Sequence, residues 1–174
     1  MSEHETFDFG DGPVAAHRHT NPDGSIGGWV ANTATVAPTA WVGPDAMVYD
    51  HARVYDLATV TECGRVYGQA QLNERAGVGG MARVSGQTWL AGGASVGDYA
   101  RVMGDACIDG MARVEGDARI DEDAWVSGRA RVSGWAGGSS RVFGRLSGVE
   151  HRCMFDTSTL PCDGFVRALT VGVR

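Results

Sequence analysis

From Val30 to Val132 an aliphatic residue stands at every sixth position, eighteen times in succession, with no insertion or deletion. Two residues before each stands a small one: Gly28 first, then alanine from Ala34 to Ala130, with Gly64 and Thr88 as the departures. Side chains two apart project to the same side of a β-strand. Each hexad, as in Ala82-Arg83-Val84-Ser85-Gly86-Gln87, therefore reads as a short strand with one buried side, followed by a turn rich in Gly, Asp, Asn or Pro. A spacing of six scatters side chains around an α-helix, so helix is excluded for 28–132. One hexad cannot bury its own apolar side, and the units must stack as a solenoid.

The composition follows from this repeat. Gly accounts for 26 of 174 residues, Ala for 22 and Val for 20. Glycine does not recur every third residue as in collagen, and the even spread of Val, Leu and Ile argues against a disordered chain. All 15 basic residues are Arg, against 21 acidic ones, and the net charge of −6 gives no overall attraction to nucleic acid or to an anionic membrane. No apolar run approaches 18 residues, and the acidic stretch Met1 to Gly12 carries no apolar core of a leader, so a cytoplasmic location is expected. Cys63, Cys107, Cys153 and Cys162 are too few and too scattered for a disulfide framework.

The phrases Gly-Gly-Trp-Val (27–30), Ala-Trp-Val-Gly (40–43) and Ala-Arg-Val-Tyr (52–55) resemble the hexapeptide-repeat, left-handed β-helix family, and most of all its bacterial and phage YdcK-like members. The resemblance covers about 110 residues. It implies an all-β fold, a single-stranded left-handed parallel β-helix with three hexads per triangular coil. Eighteen hexads then make about six coils, and at about 4.8 Å per coil the shaft is about 29 Å long. Expected boundaries are an N-terminal segment and cap at 1–27, the β-helix at 28–148, and a C-terminal capping or oligomerisation segment at 149–174. Val14 to His19 and the turn Asn21-Pro22-Asp23-Gly24 read as a strand and hairpin entering the first coil. Past Val132 the register breaks, because position 138 holds Gly and Ser140-x-Val142 restarts early.

With three hexads per coil, residues eighteen apart share an outward column. The first face reads Trp29, Met47, Arg65, Arg83, Arg101, Arg119, an arginine ladder that is either solvated and neutralised by Glu62, Asp98 and Asp117 or a site for an anionic ligand such as a phosphate or acidic glycan. The second reads Thr35, Arg53, Gln71, Trp89, Cys107, Trp125, whose exposed Trp89 and Trp125 around Cys107 suit a self-association interface or sugar stacking. The third, Trp41, Thr59, Gly77, Ser95, Arg113, Arg131, shows no usable pattern.

Many relatives of this fold are acyltransferases, with a catalytic His and a long loop inserted between hexads. Here the repeat has no insertion, and its single histidine is His51, a weak catalytic candidate that Asp50 would have to orient. His17 with His19, and His151 with Cys153 and Cys162, are loose His/Cys groupings without paired metal-ligand spacing, so no metal and no cofactor is expected. The reading is of a non-enzymatic structural or binding protein, a rigid homo-oligomer with a trimer favoured that presents a flat surface to a partner, with a phage-associated role suggested by the resemblance. A reduced acyltransferase site near His51 and a glycan-binding module are the alternatives.

Overall fold

The structure, a computed structural model, describes residues 5–143. The described residues contain no helix. The chain opens with β1 (Thr6–Asp8), β2 (Pro13–Thr20) and β3 (Ile26–Ala31), and continues through nineteen strand segments of two or three residues, from Thr35–Val36 to Arg141–Phe143. These build three sheets. The first continues from β3 through Met47–Val48, Arg65–Val66 and on to Trp135–Ala136; the second runs from Thr35–Val36 to Arg141–Phe143, and the third from Trp41–Val42 to Arg131–Val132. Between β3 and Arg131–Val132 the parallel partners are eighteen residues apart, so Val84 sits between Val66 and Val102. The result is a three-sided β-solenoid of a little more than six turns.

The interior consists of two stacked residue types. Aliphatic columns fill the centre, with Val54, Leu72, Leu90 and Ile108 all at 0 % exposure, and alanines pack beside them where the chain bends toward a corner. At each corner from Asp50 to Gly128 one residue adopts positive φ. Glycine takes many of these positions, and Asp50, Asp56, Glu62, Glu74, Asp98 and Glu122 the others, a conformation that costs a side-chain-bearing residue about 1–2 kcal/mol. All three aspartates gain a compensating bond from the coil above: the carboxylates of Asp50, Asp56 and Asp98 accept the backbone N–H of Gly68, Glu74 and Gly116 at 3.0, 3.0 and 2.8 Å.

The repeat does not stop at Val132. The turn after it is two residues short, so Ala136 falls beside Ile120 and Val142 beside Val126, sixteen residues on rather than eighteen. Ala136 thus occupies the aliphatic column that the hexad count assigned to position 138.

The first coil is closed from below. β2 pairs antiparallel with β3, as the hairpin reading expects, and β1, which that reading did not include, pairs antiparallel with β2. On the third face, side chains do what a strand would do. His19 Nε2 donates to the Ala40 carbonyl at 3.0 Å, while Asn21 accepts from the Val42 N–H at 2.9 Å and donates to the Val42 carbonyl at 3.2 Å. The Asn21 amide imitates a peptide group and completes the edge of Trp41–Val42.

Two predictions follow from this packing. Asn21→Ala leaves the buried Val42 N–H unpaired and lowers unfolding stability by about 1–3 kcal/mol in urea titration. Gly86 and Gly116 share positive φ, but a Cβ on Gly86 drives into the backbone of Gly104, whereas one on Gly116 meets nothing within 4 Å. Gly116→Ala is expected to cost about 1 kcal/mol and Gly86→Ala clearly more in the same titration.

Candidate functional site

Because the interior is filled by alternate residues, any chemistry must come from the two outward columns of each face and from the corners. On the first face Met47, Arg65, Arg83, Arg101 and Arg119 are successive strand partners, so the arginine ladder stands in register. Adjacent guanidinium groups about 5 Å apart in water repel by roughly 0.8 kcal/mol. The expected neutralisation by Glu62, Asp98 and Asp117 is not what the structure shows. Arg119 instead pairs with Asp121 at 3.1 Å, two residues downstream on the same face, and the Asp98 carboxylate is turned to the Gly116 N–H. Among the described residues the other ion pair joins Arg131 to Glu115, so Arg65, Arg83 and Arg101 have no carboxylate within 4.0 Å.

Beside the arginines runs a column that the sequence reading passed over. The residue after each aliphatic also points outward, and on the first face these include Tyr49 and Tyr67. β1 and the residue that follows it lay two more rings on this surface. Phe7 stacks on Trp29 at 4.7 Å, and Phe9 stacks on Tyr49 at 4.8 Å, which in turn stacks on Tyr67 at 4.9 Å with parallel planes. Arg18 covers Trp29 at 4.7 Å from the ring centroid. Desolvation raises the Tyr49 hydroxyl above its usual pKa, its neighbour Tyr67 adds to this, and the charges of Arg65 and Arg83 pull the other way. Positions 49, 67, 85 and 103 form an eighteen-residue series in which this column is legible, whereas Phe7 and Phe9 lie in no repeat.

The second face carries Trp89, Cys107 and Trp125 as consecutive strand partners. They differ in surroundings. Trp125 donates its indole N–H to Asp109 at 3.3 Å, meets Phe143 edge-on and lies under Arg141 at 5.6 Å, whereas Trp89 is 45 % exposed. Burial, and secondarily the charge of Asp109, push the Cys107 thiol pKa upward. Its thiolate is therefore scarce at neutral pH, and the site suits packing rather than nucleophilic chemistry.

The third face, which the sequence left without a pattern, contains a shallow trough of about 370 Å³. Gly77, Gly79 and Gly97 strip its middle of side chains, with Thr59 and Thr61 at one end and Arg113 and Glu115 at the other.

The remaining candidates do not converge. His51 is exposed on a corner, and the Asp50 carboxylate that was to orient it is engaged by the Gly68 N–H. His17 and His19 have separate surroundings because a register shift interrupts β2 between Arg18 and Thr20. His17 lies outward, 2.9 Å from Asn32 Oδ1, while His19 is buried against Ala40. No group of three or more His, Cys, Asp or Glu side chains that could hold a metal occurs among the described residues. The grouping of His151, Cys153 and Cys162, like the segment 149–174, lies outside the described residues. Comparison with protein-family models, curated proteins and solved structures finds no match to this chain.

The raised thiol pKa has a direct readout. In a variant keeping Cys107 as its sole cysteine, alkylation by iodoacetamide at pH 8 should run at least severalfold slower than for a free cysteine. It should recover as pH rises through the elevated pKa, as followed by mass spectrometry.

Proposed function

We propose that the protein is a non-enzymatic structural or binding element, a rigid β-solenoid that self-associates through its second face, with a trimer as the favoured assembly. The finer assignment, to left-handed hexapeptide-repeat proteins of the bacterial and phage kind, and the cytoplasmic location belong to the same reading and rest on the sequence resemblance. The observation that carries it is Trp89. A large aromatic left 45 % exposed on a flat sheet, with Cys107 beside it and Trp125 one strand beyond, forms an apolar surface that a second copy of the chain would cover. Such a surface needs no rearrangement to bind, because each strand is pinned by neighbours above and below. A glycan-binding role is a second reading, supported by Arg65, Arg83 and Arg101 of the first face, which have no carboxylate partner among the described residues.

Light scattering coupled to gel filtration tests this reading. The wild-type chain should run as an oligomer, and Trp89→Arg should reduce it to a monomer with unchanged circular dichroism. A wild-type protein that remains monomeric at all concentrations up to about 100 μM, where interfaces of standard size are saturated, overturns it.

A further inference from the structure

We propose that the first face binds an extended acidic polysaccharide lying parallel to the solenoid axis, its carboxylates on Arg65, Arg83 and Arg101 and one sugar ring packed on Tyr67. This site is separate from the self-association surface, which lies on the second face.

The cationic part of the strip has a fixed period. Arg65, Arg83 and Arg101 are successive parallel partners, so their Cα atoms climb the face in steps of about 4.8 Å. A linear polyuronate offers one carboxylate per sugar ring, which makes it a repeating ligand for a repeating surface. None of the three arginines has a carboxylate within 4.0 Å among the described residues, so their donors are free to form paired, charge-assisted bonds to an incoming anion. Their charges also act together on this surface, since both Arg65 and Arg83 bear on the Tyr49 hydroxyl. A polyanion would relieve the repulsion that the ladder otherwise carries.

The aromatic part selects the kind of polyanion. Phe9, Tyr49 and Tyr67 are piled on one another, which consumes both faces of Tyr49, while Phe9 gives one face to Tyr49 and also meets Phe7 edge to face. Among the described residues no aromatic ring covers the other face of Tyr67, and the column continues with the small Ser85. One ring is thus available as a ledge, enough for the C–H face of a single sugar. Single-stranded nucleic acid is recognised by aromatic platforms for successive bases within a strongly basic groove, and this surface offers one platform on a chain of net charge −6.

The test uses isothermal titration of the full chain with polygalacturonate at about 0.1 M salt, where charges a Debye length apart are largely screened. Fully methyl-esterified polygalacturonate and a single-stranded DNA serve as comparison ligands. The expected result is binding of polygalacturonate that is lost on esterification, weakened at least tenfold in Arg83→Gln/Arg101→Gln and severalfold in Tyr67→Ala, with each single arginine variant intermediate. Arg83 and Arg101 are exposed, so thermal unfolding of these variants should match the wild type. No binding of polygalacturonate, equal binding of the ester, an unchanged affinity in the double variant, or DNA bound as tightly as the uronate would each overturn the proposal.

Discussion

The structure depends on a contact made over and over between a residue and its counterpart eighteen positions away. Val66 rests under Val84, which rests under Val102, and the same holds for every aliphatic column. The backbone N–H and C=O groups pair along the same direction, as when Gln71 donates to Thr88 and Tyr67 to Val84. Packing and hydrogen bonding are thereby satisfied by one geometric operation, a translation along the axis. The inside of the solenoid tolerates only residues that fit that translation, which is why small and aliphatic residues alternate with so little variation.

The outside is under no such rule, and the three faces diverge accordingly. The first combines stacked rings with a ladder of guanidinium groups, the second carries indoles around a thiol, and the third is bare where Gly77, Gly79 and Gly97 leave out side chains. All three keep the same backbone. A scaffold of this kind can change its surface without changing its shape, because a substitution in an outward column removes no contact from the core. The exceptions are the corners, where Gly86 is held against Gly104 and Asp50 against Gly68.

How much of this could be read from the sequence depended on whether a feature shared the period of six. The strands and the inward columns follow from the period between Val30 and Val132, and the in-register arginines and tryptophans follow once the resemblance supplies three hexads per coil. What escaped was set by contacts without a period. Phe7 and Phe9 reach the first face through an antiparallel pairing of three residues, too short to announce itself. Asn21 looks like an ordinary turn residue until the Val42 peptide is placed beside it. Proximity along the chain points the arginines to acidic partners upstream, yet Arg119 pairs with Asp121, since residues two apart on a strand share a side. The two-residue contraction after Val132 was visible as a break, but the small side chain of Ala136 hid where the column resumed.

The sealed base formed by β2, His19 and Asn21 also bears on how such a chain acquires its shape. Every bond between coils joins residues roughly eighteen apart, so the entropy lost in closing each loop stays constant however long the shaft grows. With the hairpin in place as a finished floor, each later turn can be laid on a surface that already exists. Assembly then resembles bricklaying from the amino-terminal end, a sequence of short-range steps that can keep pace with a ribosome delivering the chain in that same order.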